Sequence, residues 1–129
     1  DEILENLIIK NVLDDAYYSK IKCFSLHRGG ASKTRIRKKL REKGISQEII
    51  EQVLKLLDND TTEPELIAAA ITARRRRLGP YRDSKNRKTH RSKDLASLGR
   101  AGFSYSIANR IIDSETIDQI EEKIDSINK

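Results

Sequence analysis

LREKGISQEIIEQVL, residues 40–54, and LGRAGFSYSIANRII, residues 98–112, are the two stretches whose comparison decides the fold. A shift of 58 residues lays Leu40 on Leu98, Gly44 on Gly102, Ile45 on Phe103 and Ser46 on Ser104. The same shift lays Ile49 on Ile107, Val53 on Ile111 and Leu54 on Ile112. Each stretch reads as a helix end, a glycine that stops it, and a hydrophobic residue that packs back on the last turn. A serine then caps the next helix. A recurrence of this kind marks a repeated supersecondary unit. Units of about fifty residues bury too little apolar surface alone and gain by stacking on a neighbour.

Outward from this pair the chain reads as helix almost throughout, with two prolines and no strand-like alternation. The spacing predicts helices over roughly 14–28, 32–43 and 46–57, then 62–78, 87–101 and 104–112. Asp14 is the expected cap of the first, which presents Tyr17, Tyr18, Ile21, Phe24 and Leu26 and ends at Gly29–Gly30. Ser32 and Ser46 are expected to cap the second and third. Thr62 with Glu65 suggests a capping box, and Pro64 falls in the first turn, where a missing N–H costs nothing. Residues 79–90 read as the one clear loop. Ser114 is expected to open a last helix carrying Ile117, Ile120, Ile124 and Ile127 on one side. The division expected is residues 1–12 as the end of an incomplete first module, 13–58 as a second, 59–113 as a third, and 114–129 as a C-terminal helix. The chain has no Met and begins Asp-Glu-Ile, so a fragment with sequence missing upstream is expected.

Hydrophobic and charged residues each make up 36% of the 129, which suits thin helical layers better than one thick core. The net charge is +6, unevenly placed: residues 33–93 carry eighteen basic and eight acidic side chains, while both flanks are mildly acidic. A basic middle is the footprint of a polyanion partner, nucleic acid being the commonest; an acidic protein surface would satisfy the same charges. One cysteine permits no intramolecular disulfide, which fits a reducing cytoplasm. No apolar run reaches membrane-spanning length, and no membrane partner is expected.

Catalytic groupings are missing. His27 and His90 stand far apart and in no metal-ligand spacing. Cys23 reads as a small buried hydrophobe rather than a nucleophile. Asp14 and Asp15 lack a third ligand at a useful spacing. No cofactor, no metal and no enzymatic activity are expected. The basic clusters remain. Lys33, Arg35, Arg37, Lys38, Lys39, Arg41 and Lys43 are seven cations in twelve residues, with Lys33, Arg37 and Arg41 aligned on one expected solvent edge. Like charges this dense repel, so helix stability does not explain them. Arg74, Arg75, Arg76 and Arg77 end a helix, where one or two cations would complement the dipole and four exceed that need. Arg82, Lys85, Arg87, Lys88, Arg91 and Lys93 follow. Tyr81 is the lone aromatic among them, so contact with phosphate or acidic protein is expected rather than base stacking.

The segment LDDAYYSKIKCFSLHRGGASKTRIRKKLREKGIS, residues 13–46, resembles the central module of the RecX family, regulatory proteins of the RecA recombinase. Arg35, Ile36, Arg37, Leu40, Arg41, Lys43, Gly44 and Ile45 match its basic run. ARRRRLGPYR, residues 73–82, and KDLASLGRAGFSYSIANRIID, residues 93–113, resemble its last module. Ser19 and Lys22 depart from the pattern, which expects Ala and an apolar residue there. The resemblance implies an all-α fold of tandem three-helix modules stacked in a curved, elongated array that lies in the RecA filament groove. It implies a cytoplasmic monomer of DNA repair, homologous recombination and the SOS response, inhibiting RecA's ATPase, strand-exchange and co-protease activities. Lys33, Arg35, Arg37, Lys38, Arg41, Arg74, Arg75, Arg76, Arg77, Arg82, Arg87 and Lys88 are the expected contacts to the RecA filament or to single- or double-stranded DNA, reached directly or through RecA. The rival readings are a general DNA- or RNA-binding helical module acting without RecA, and an enzyme fragment whose catalytic half lies upstream.

Overall fold

The structure, a computed structural model, describes residues 1–126. Eight helices follow in order: α1 (Glu2–Arg28), α2 (Lys33–Glu42), α3 (Gln47–Asp60), α4 (Pro64–Arg76), α5 (Ser84–Arg87), α6 (Arg91–Arg100), α7 (Tyr105–Ile112) and α8 (Ile117–Ser126). No strand occurs among the described residues.

The repeat is present in the backbone. Gly44 and Gly102 both adopt positive φ, +79° and +99°. The next amide reaches back five residues in each case: Ile45 N donates to Leu40 O and Phe103 N to Leu98 O, both at 3.1 Å. These are Schellman ends, and the apolar residue after each glycine is buried beside the preceding turn. Ser46 Oγ then accepts from Ile49 N, and Ser104 Oγ from Ile107 N.

Several boundaries differ from the sequence expectation. α1 runs unbroken through Asp14, because residues 2–28 contain neither Gly nor Pro and nothing stops propagation. Asp1 caps it instead, accepting from Ile3 N at 2.9 Å. The buried face of α1 is only partly the one expected: Phe24 and Leu26 pack against the core and Cys23 is buried, as read from the sequence. Ser19, Cys23 and His27, at i, i+4 and i+8, face inward, while Tyr17, Tyr18 and Ile21 are exposed. Those three continue the exposed apolar side chains Ile3, Leu4 and Leu7 of the N-terminal half. Thr62 does not cap α4; Glu63 does, in the left-handed region at φ 48° and with no side-chain cap bond. Residues 79–90 are not one loop but a 3-10 turn (Gly79–Tyr81), α5 and a further turn. α8 starts three residues beyond Ser114, whose Oγ donates to Thr116 O at 3.2 Å. Ile127 lies outside the described residues.

Two apolar clusters form. One joins Cys23 of α1 to Ile36 and Leu40 of α2 and to Ile49, Ile50, Val53, Leu54 and Leu57 of α3. Burial pushes the Cys23 thiol up to about 11, with Asp58 adding to the rise and Lys33 opposing it, so the thiol stays protonated near neutrality. The other cluster is built on α4, whose residues Leu66 to Ala73 are all buried. A helix apolar all round needs neighbours on every side, and α1, α6, α7 and α8 supply them. Ile120 and Ile124 of α8 close this cluster.

Polar groups at helix ends tie the two clusters together. The Ser32 hydroxyl accepts from Arg35 N at 3.1 Å, capping α2, and donates to Ala101 O at 2.8 Å, just past the end of α6. Glu65, the expected partner of Thr62, instead accepts from Lys33 N, the first amide of α2, at 2.9 Å. Thr72 Oγ1 donates to Gly30 O at 2.7 Å in a buried contact. In the first turn of α6, the fully buried Asp94 accepts from Gly79 N and from Arg82 Nε and Nη2, each at 2.8 Å. Burial opposes its ionisation, yet these donors hold its carboxyl below the ordinary carboxylate range.

Two outcomes follow for stability. Gly44→Ala meets open space and carries only the left-handed penalty, about 1 kcal/mol. Gly102→Ala places its Cβ 2.5 Å from Ser32 Oγ, so it should cost clearly more in urea unfolding; equal costs would contradict the close packing at that contact. Because the Asp94 pKa is lowered by folding, its contribution is complete above roughly pH 5 and disappears as pH falls through the folded-state value. Asp94→Asn should lower stability at pH 7 by on the order of 3 kcal/mol and flatten the acid limb of the stability curve.

Candidate functional site

The twelve cations expected to make contacts divide sharply once the fold is in place. Lys33, on the edge of α2 toward α3, holds Asp58 at 2.6 Å. Arg37, one turn on, grips Glu51 through Nε at 2.9 Å and Nη2 at 3.4 Å. That hydrogen bond, with the charge of Arg37 behind it, holds the Glu51 carboxyl below its usual range. The edge expected to face solvent is thus partly turned to the carboxylates of its own module. Arg41 continues it, exposed and without an ion pair among the described residues.

The arginines after α4 divide the same way. Arg74 Nη1 meets Glu121 of α8 at 2.7 Å, and the same carboxylate accepts from Tyr81 Oη at 2.7 Å. Burial first, and then this bond to Glu121, raises the Tyr81 pKa above its ordinary value. Arg75 Nη1 donates to Gly29 O, and Arg76 Nη1 to Ser97 Oγ at 3.2 Å. Arg77 has no such partner and sits in the left-handed region at φ 56°. It ends α4 where glycine would be the unstrained choice.

Arg82 and Arg87 hold the fold. The first is bound to Asp94. The second donates Nη2 to Ile112 O at 2.9 Å and to Ser114 O, satisfying carbonyls at the end of α7. Lys88 is exposed and has no ion pair among the described residues. Two further arginines, not among the twelve, have similar structural roles. Arg91 pairs with Asp113 at 2.7 Å and with Asn109, while Arg110 pairs with Glu63 at 3.0 Å. The acidic partners lie 12 to 47 residues away from their arginines. No local spacing in the sequence announces such pairs.

Among the described residues, Arg35, Lys38, Lys39, Arg41 and Lys43 of the α2 segment therefore remain without ion pairs, together with Arg77, Lys85, Lys88 and Lys93. A cleft of about 350 Å³ opens where the two clusters meet, and Arg35, Arg75 and Arg76 line it with Gly29, Gly30 and Ala101. Among the described residues, no carboxylate lines this cleft. A second cleft, about 490 Å³, is lined by Arg87, Lys88 and Arg91, but Asp113 lines it too and already holds Arg91. Arrangements of this kind suit anion contact. Among the described residues, no three His, Cys, Asp or Glu side chains come together as a metal site would require. Among the same residues, no helix is long and apolar enough to cross a membrane.

Comparison with known proteins agrees with this architecture. Residues 14–54 match the family described as RecX, second three-helix domain. Over 115 residues the chain is 37% identical to the Regulatory protein RecX of Myxococcus xanthus (strain DK1622), covering 88% of this chain and 60% of that protein. Over 100 residues it is 33% identical to the Regulatory protein RecX of Agrobacterium fabrum (strain C58 / ATCC 33970), covering 78% of this chain and 51% of that one. The chain thus spans between about half and three-fifths of the length of these relatives. No solved structure matches it. With the helix–glycine–serine repeat, the basic run and these likenesses together, the chain belongs to the RecX family.

Proposed function

We propose that this chain restrains the RecA–DNA filament as a non-catalytic regulator, inhibiting ATP hydrolysis, strand exchange and co-protease activity. The observation that carries the reading is the likeness over most of the chain to two proteins named as regulators of the RecX type. The working units are residues 13–58 and 59–113, stacked as a curved array and closed by the helix after residue 114. Of the twelve cations, those left unpaired by the fold are the contacts: Arg35, Lys38, Arg41, Arg77 and Lys88, with Arg75 and Arg76 beside Arg35. Lys33, Arg37, Arg74, Arg82 and Arg87 act through the fold they hold. The protein works as a cytoplasmic monomer and meets single- or double-stranded DNA at or through the filament.

Arg77 sharpens the reading. An arginine held at positive φ costs about 1 kcal/mol that glycine would not, with no compensating bond among the described residues. Backbone strain of this kind collects at functional positions.

Single-stranded-DNA-dependent ATP hydrolysis by RecA, titrated with this protein, tests the proposal. The wild-type chain should inhibit at less than one molecule per RecA subunit. Lys38→Glu with Arg41→Glu should need on the order of tenfold more protein, as expected for reversed charge at a contact. Arg77→Gly should unfold at higher urea and yet inhibit several-fold less well. No inhibition by the folded wild-type chain would overturn the regulatory reading. Binding of naked DNA as tight as binding of the filament, with a steep salt slope, would favour the general nucleic-acid module instead.

A further inference from the structure

Of the four arginines that end α4, Arg74 is set apart by its partner. Its Nη1 meets Glu121 of α8 at 2.7 Å, 47 residues further along the chain. Among the described residues, Arg75, Arg76 and Arg77 have no carboxylate partner, the first two donating to Gly29 O and Ser97 Oγ instead. Glu121 uses its other oxygen to accept from Tyr81 Oη, so both oxygens are engaged at the end of α4. The sequence of α8 carries Asp118, Glu121, Glu122 and Asp125 against one lysine. A strongly acidic helix thus lies against a strongly basic helix end, and Glu121 stands where an anion from outside would bind Arg74.

The seat of α8 is slight. Among the described residues, Ile120 and Ile124 are its buried apolar side chains, while Ile117 is exposed. Under its first turn an opening of about 150 Å³ remains between Leu66, Ile67 and Ala70 of α4, Ile111 of α7 and Ile120. Side chains around that opening forgo contacts that closer packing would give them. The pair with Arg74 is itself partly exposed, 42% for the arginine side chain and 30% for the glutamate. Pairs this exposed contribute little. Ordering the ten residues of α8 costs conformational entropy, which two buried isoleucines and such a pair offset only narrowly. A helix held by so narrow a margin opens locally while the rest stays folded.

We propose that α8 is an autoinhibitory strap: while it is docked, Glu121 occupies the Arg74 guanidinium, and a nucleic-acid strand that reaches the end of α4 displaces it. A phosphate offers Arg74 the same paired oxygens as the carboxylate. Neighbouring phosphates on the strand meet Arg75, Arg76 and Arg77 at the same time, which one carboxylate does not. Release of condensed counterions further favours the strand over the internal pair. The strap rests on the reading in which these arginines meet DNA. It adds that Arg74, which holds the fold while α8 is docked, joins the contact once α8 lifts.

Fluorescence anisotropy with labelled oligothymidylate, on the full chain and its variants, tests the strap. Glu121→Gln keeps the shape of the latch and removes its charge. Ile124→Ala loosens α8 on α4 and leaves every charge in place. Glu122→Gln removes the same charge from an exposed neighbour without an ion pair among the described residues. The first two should bind about fivefold more tightly than wild type, because more of the chain is competent to bind. Glu122→Gln should stay within about twofold. In an Arg74→Ala background, Glu121→Gln should change nothing further, since the group it frees is gone. Amide exchange should quicken in residues 117–126 when oligothymidylate is added to wild type, and protection kept in α2, α6 and α7 should show that Ile124→Ala leaves the other helices folded.

Equal gains from Glu121→Gln and Glu122→Gln would leave diffuse repulsion as the cause and overturn the strap. Exchange in α8 that slows when the strand binds would overturn it as well. Polyglutamate driving α8 off as readily as oligothymidylate would overturn the nucleic-acid strand as the competitor. Inhibition of RecA is measured alongside. If no variant binds oligothymidylate the strap falls, and persisting inhibition leaves the regulatory reading intact. If inhibition is absent and Glu121→Gln still gains affinity, the strap stands and that reading falls.

Discussion

The Ser32 hydroxyl serves two helix ends at once, accepting the Arg35 amide that opens α2 and donating to the Ala101 carbonyl that follows α6. Helix ends leave amides and carbonyls without intrahelical partners, and burial makes each of them expensive. Here each cluster satisfies ends belonging to the other. Glu65, in the first turn of α4, takes the first amide of α2, and Thr72 takes the carbonyl of Gly30 at the close of α1. Neither cluster is large, and an apolar interface alone would let them slide. Directed bonds to backbone fix one arrangement, and the glycine at 102 lets the chain pass close enough for Ser32 to reach. The convergence of Arg35 with Arg75 and Arg76 depends on that arrangement.

A chain this basic has to reconcile two uses of arginine. Arg37, Arg82, Arg91 and Arg110 are bound to carboxylates and lace helices together. Arg82 with Asp94 is the tightest case, since the carboxylate is fully buried and also holds the Gly79 amide at the turn after α4. Among the described residues, cations without an ion pair include Arg35, Lys38, Lys39 and Arg41 on α2 and Arg77 past the end of α4, with others on α1, α3 and α6. Exposed ion pairs contribute little stability one by one, so the division matters less for folding than for where positive charge remains free. The acidic residues of the flanking segments take part in it: Glu121, on α8, holds Arg74 and Tyr81.

Much of the fold was legible because its signals are local. Glycine followed two residues later by serine, with apolar residues at helical spacing, predicted the ends of α2 and α6 and the starts of α3 and α7. Ser32 as a cap was legible too; its second bond, 69 residues away, was not. α1 was misread because Asp14 is as good a cap as any, and only the absence of Gly or Pro before it argued for continuity. Its inward face was legible in part: Cys23, Phe24 and Leu26 pack on the first cluster as read, whereas the buried Ser19 and His27 are more polar than the exposed Tyr17, Tyr18 and Ile21. Ser19 Oγ and His27 Nε2 accordingly stay buried without a hydrogen-bond partner. The candidate site was legible as composition and not as geometry. Sequence spacing grouped Lys33, Arg37 and Arg41 on one edge, whereas the fold pairs two of these inward and brings Arg35 to Arg75 and Arg76 across the contact between clusters.

Bonds between helix ends make the two clusters one body. Native-state amide hydrogen exchange on the wild-type chain and on Thr72→Val tests it most directly, since valine keeps the volume and removes only the bond to Gly30. Protection should fall by a similar factor in α2 and in α4, because each end depends on the other. Protection that falls in α4 while α2 and α3 keep theirs would contradict it, and would mean that the two clusters open independently.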